Sequence, residues 1–77
     1  MTIPEHTKAA IDRYVMHRLP PGGFLTAVLT NNLVGAVTRA DVHNLEALLE
    51  IVRYVYNEVP ASAWGSEQRV EDYLEGR

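Results

Sequence analysis

The chain has no cysteine among its 77 residues. Disulfides and thiolate metal sites are therefore excluded. A reducing compartment suits such a chain, though cysteine-free proteins are also exported. No apolar run approaches the roughly 20 residues of a membrane-spanning helix. The opening MTIPEHTKAA lacks the basic-then-apolar layout of a signal peptide, so a cytoplasmic setting is the expectation. Charge of one sign is scarce as well. Seven Lys and Arg stand against ten Asp and Glu, for a net charge of −3. Nucleic-acid binders usually carry a basic face, because phosphate neutralisation dominates their affinity. The balance here disfavours nucleic acid as a partner, and the acidic excess is too small for a DNA mimic.

What is present is apolar. Hydrophobic residues make up 47% of the chain, enough for one core. The length allows a single domain, residues 1–77. Chains this short are marginally stable alone and often add a staple. With disulfides and thiolate metal sites excluded, self-association is the natural one, and a homo-oligomer is expected.

The apolar pattern is helical throughout, which predicts an all-α fold of four or five helices. Thr2, Pro4 and Glu5 read as a helix start, with Thr2 and Glu5 forming a capping box. Ile11, Tyr14, Val15 and Leu19 carry the first amphipathic stretch, about four turns by its period. Pro20-Pro21-Gly22-Gly23 ends it. A rigid corner is the favoured reading of that run over a phosphate-cradling loop, since no lysine at P-loop spacing follows and no strand precedes it. Phe24 to Ala40 holds a second apolar face, interrupted at Thr30-Asn31-Asn32, whose short polar side chains favour caps. This predicts one short helix near 24–31 and another near 32–40. Asp41 is a candidate N-cap for one long central helix reaching Val59 before Pro60. Ser66 is a candidate N-cap for a last short helix carrying Val70, Tyr73 and Leu74.

Chemistry is harder to find. His6, His17 and His43 offer no HExxH and no His-x3-His pair, so no metal site is expected. There is no GxSxG elbow. Glu46 and Glu50 form a carboxylate pair of the kind common on solvated helix faces. Neither an enzyme nor a cofactor is expected. Residues 24–58 could instead form a helix-turn-helix in which Arg39 and Asn44 read base edges. The acidic balance weighs against it. Trp64 has two readings. In one it closes the core, its indole N–H bonded to a carbonyl. In the other it stacks on a base, with Arg39, Arg53, Arg69 and Asn57 as donors.

Residues 22–66 carry Gly22 through Leu33, Arg39-Ala40-Asp41 with Asn44, Tyr56-Asn57 with Pro60, and Trp64-Gly65-Ser66. The run resembles a widespread group of small phage-encoded proteins, mostly of unassigned function. That group's pattern is G-x-F-L-x-A-V-L-x-N-x-L, R-A-D-x-x-N, Y-N-x-x-P and W-G-S. The double glycine at 22–23 departs from it. The resemblance implies an accessory protein acting in the host cytoplasm. One class of such proteins is a sponge, a homo-oligomer that sequesters cyclic nucleotide immune signals. The leading expectation is therefore capture of a small anionic nucleotide-like ligand by Arg39, Asn44, Arg53, Asn57, Trp64 and Ser66. The alternative is a module that inhibits or redirects a host protein through an apolar helix face.

Overall fold

A computed structural model of the chain describes residues 2–76. Six α-helices follow in order: α1 Glu5–His17, α2 Gly23–Leu29, α3 Leu33–Arg39, α4 Val42–Glu46, α5 Leu48–Glu58 and α6 Glu67–Leu74. A single 3-10 turn, Ala61–Ala63, separates α5 from α6. No strand is present among the described residues. The expected all-helical fold is what the chain adopts, with six helices rather than four or five. No helix of the described residues is long and apolar enough to cross a membrane.

The starts and stops are local. α1 begins at Glu5, and Thr2 does not cap it. The carbonyl of Pro4 accepts from the amides of both Thr7 and Lys8, at 3.0 Å each. Pro4, with φ −55°, holds the N-cap position itself and Glu5 is the first helical residue, so the expected Thr2–Glu5 capping box does not form. α1 ends at His17, because Arg18 turns left-handed (φ 54°) ahead of the two prolines. The break at Asn31-Asn32 is real. Asn31 has φ 63°, and the Asn32 side chain accepts from the Gly35 amide at 3.0 Å to open α3. Asp41 caps α4 through the Asn44 amide (2.8 Å), and Ser66 caps α6 through the Arg69 amide (3.1 Å).

The expected long central helix is two helices. The backbone departs from helix at Ala47 (φ −97°, ψ 9°), between α4 and α5. Bonds from Ala47 N–H to the His43 carbonyl and from Ile51 N–H to the Ala47 carbonyl still run across the joint. α1, with 13 residues, is longer than α5, with 11.

Ile11, Tyr14, Leu25, Leu29, Ile51 and Val55 form the heart of the core. Tyr14 is wholly buried, and its hydroxyl donates to the Ala63 carbonyl at 2.6 Å. α6 docks on α1 mainly through Tyr73. Its ring lies 5.1 Å from that of Tyr14, and its hydroxyl donates to the Val15 carbonyl at 2.5 Å. Arg18 lies over the Tyr73 ring at 4.2 Å and donates to the Tyr73 carbonyl at 2.6 Å. The loop between α5 and α6 is tied from the other side, where the Gly65 amide donates to the Leu29 carbonyl at 2.7 Å.

Candidate functional site

Two of the six candidate residues share one cleft. Arg39 ends α3 and Asn44 lies in the first turn of α4, five residues on. Both line an open depression of about 280 Å³ between α1, the start of α2 and the start of α4. Gly22 and Gly23 form part of its wall, with Phe24, His6 and Thr7 around them. A Cβ at Gly22 would meet nothing within 4 Å, so a ligand could approach the backbone there closely. The Arg39 stem runs beside Gly23, its Cδ 3.5 Å from where a Cβ would be. Arg39 is exposed and has no ion pair among the described residues.

Asn44 is held from two directions. Its Oδ1 accepts from the Thr7 hydroxyl at 2.6 Å, and its amide donates to Asp41 Oδ1. It is 7% exposed, so what it can meet is a group that enters the cleft. Its NH₂ has no partner among the described residues and belongs to the cleft wall. The Arg39 stem passes this cleft at Gly23, while its guanidinium reaches Gly35 and Asn32, beside a larger depression of about 510 Å³ that also holds Glu67 and Glu71. The Thr7 hydroxyl is already given to Asn44. A carboxylate, Asp41, shares the cleft, with Oδ1 turned to the α4 cap.

The other four candidates lie elsewhere. Arg53 and Asn57 are exposed on α5. Ser66 is engaged as the α6 cap. Trp64 is half-buried against the core, its ring edge-on to Tyr56 at 6.1 Å. It lines a separate apolar groove of about 130 Å³ with Val28, Leu33, Ala36, Val52 and Val55. Its core-closing role is what the packing shows, but its indole N–H makes no hydrogen bond among the described residues.

Sequence reasoning missed Thr7 and favoured a rigid corner at Gly22-Gly23 over a ligand-cradling loop. The polar Thr7 on the inner side of an amphipathic helix was the available signal for the first. Nothing in the spacing brings residues 22–23 beside Arg39. Among the described residues, no three His, Cys, Asp or Glu side chains gather as a metal would need. Comparison with protein-family models, with curated proteins and with solved structures finds no match to this chain.

Proposed function

We propose that the chain is a non-catalytic, phage-encoded accessory protein that works as a homo-oligomer in the host cytoplasm. It captures a small anionic, nucleotide-like ligand, such as a cyclic nucleotide immune signal. The observation that supports this best is the cleft lined by Arg39, Asn44 and the backbone of Gly22-Gly23, with Arg39 in no ion pair among the described residues. A guanidinium is a planar, permanently charged donor suited to phosphate oxygens. Asn side chains suit base edges, and Phe24 supplies an aromatic wall.

One subunit offers only part of a site. Its volume of about 280 Å³ is at the low end for small-molecule pockets, which run from about 300 to 1,000 Å³. The cleft is open to solvent on one side. Thermal shift against a panel of cyclic di- and trinucleotides and cyclic ADP-ribose variants tests the reading. A ligand that binds only the folded state must raise the melting temperature.

A second reading has its own observation. Leu33, Val34 and Val37 on α3 and Leu49, Val52 and Tyr56 on α5 are all exposed. Contiguous apolar surface of this kind marks interaction sites. A module that inhibits or redirects a host protein would use this face. Absence of any ligand-induced shift would favour that reading.

A further inference from the structure

The apolar surface of α4 and α5 has an internal order. Val42, Leu45, Leu49, Val52 and Tyr56 are between 43% and 72% exposed. Their spacing alternates three and four across the joint at Ala47, and the buried Asn44, Ala47, Ile51 and Val55 keep one opposite phase through it, so the five lie along one face, a seam of a- and d-like positions. The same helices bury Ala47, Ile51 and Val55 on their inner side. They are therefore apolar on two faces, and only one is used within the fold.

We infer that this seam pairs with the same seam of a second copy, antiparallel, about a two-fold axis. The inference rests on the self-association part of the proposed function. Two observations choose the occupant. The first is charge. Beside the seam, at consecutive e positions, stand Glu46 and Arg53, both exposed and neither ion-paired among the described residues. In an antiparallel pair, e positions face e positions. Leu49 then packs against the partner's Val52, Leu45 against the partner's Tyr56, and Glu46 meets Arg53 of the partner subunit. Two-fold symmetry makes that ion pair twice. A parallel pair would instead set Glu46 against the partner's Asp41, a like charge, and Arg53 against the partner's apolar Leu48.

The second observation is area. Side chains of this size carry on the order of 100 Å² of apolar surface each. Leu33 shares a groove with Val52, so the exposed residues of α3 extend the seam. Together the two helical faces present roughly 450–500 Å² of apolar surface per copy. Two copies would bury about 1,000 Å² of apolar surface, the threshold for a biological interface, before any polar rim is counted.

Light scattering and sedimentation equilibrium on the full chain test this, with Glu46→Arg, Arg53→Glu, the two combined, and Leu49→Asp. All three positions are exposed, and circular dichroism checks that each variant stays helical. The wild type should self-associate. Each single charge reversal turns two attractions into two repulsions and should weaken association by about tenfold. The double reversal restores the pairing and should return to within about threefold of wild type. Leu49→Asp should be monomeric. A wild type that is monomeric at high micromolar concentration overturns both this interface and the homo-oligomer. An oligomer indifferent to the single reversals, or a double variant that fails to recover, overturns the seam while self-association stands.

Discussion

The Thr7 hydroxyl donates to Asn44 Oδ1 across 2.6 Å, joining α1 to α4 through two buried side chains 37 residues apart. This bond fixes one wall of the cleft. Asn44→Ala would leave a buried hydroxyl unpaired, at a cost of about 1–3 kcal/mol. Replacing both partners by apolar isosteres, Thr7→Val with Asn44→Leu, should cost less than the sum of the single changes. Urea denaturation of the four proteins measures this. Additive losses would mean the bond contributes nothing of its own.

Gly65 carries the loop that brings Trp64 to the core. Its φ is 111°, a conformation that side chains rarely adopt, and its amide is tied to Leu29. Gly65→Ala should destabilise by about 1–3 kcal/mol. Gly76 also has positive φ (78°), but it lies at the end of α6 with nothing near a Cβ. Gly76→Ala should cost less than half as much. Comparing the two melting temperatures separates backbone strain tied to the core from strain at a chain end.

Tyr14 gives the fold an alkaline limit. Burial pushes its hydroxyl from the ordinary value near 10 to about 12. The folded state therefore holds a proton that the unfolded state releases. Stability from this group is complete below pH 10 and falls as pH rises towards 12. Tyr14→Phe should be less stable at neutral pH, by about 1 kcal/mol for the lost bond to Ala63. Its stability should also decline less steeply above pH 10. Denaturation midpoints across that range supply the test, and equal slopes would contradict the assignment.

Asp12 sets an acid limit through a different cluster. Its Oδ1 accepts from the Tyr54 hydroxyl at 2.7 Å, and its Oδ2 accepts from Lys8 at 3.0 Å. The Tyr54 bond first, and the Lys8 bond second, hold the carboxyl below its ordinary value. Stability from Asp12 is thus present above the unfolded carboxylate pKa and is lost as pH falls through the lower folded one. Tyr54→Phe should raise the Asp12 pKa, readable by NMR titration of the side-chain carbonyl, and move acid unfolding to higher pH.

Much of the local structure was legible because it is chemically local. Asp41 and Ser66 cap where a short acceptor precedes an apolar period, and Asn31-Asn32 breaks the chain where side chains compete with the ladder. The Thr2 cap failed because Pro4 holds the N-cap position and the helix starts only at Glu5. The departure at Ala47 has no proline or glycine to announce it. It occurs at a buried alanine, where helix and core meet. The site was half legible. Arg39 and Asn44 are five residues apart and meet in one cleft, but the corner at Gly22-Gly23 joins them only through the packing of α1, α2 and α4. Whether α5 residues faced the core or a partner was hidden too, since its apolar period is two-sided.

The stretch from Tyr54 to Ser66 is structural in its first role. It ends α5, seats Trp64 on the core and launches α6. Arg39→Glu touches no hydrogen bond among the described residues and should leave the unliganded melting temperature nearly unchanged.

Thermal-shift titration with the cyclic nucleotide panel, on wild type and Arg39→Glu in parallel, tests the central claim most directly. The account predicts that at least one cyclic nucleotide raises the wild-type melting temperature in a saturable way, by an amount that grows with ligand concentration. The same ligand should leave Arg39→Glu unshifted. No shift with any member of the panel, or an equal shift in the two proteins, would contradict it.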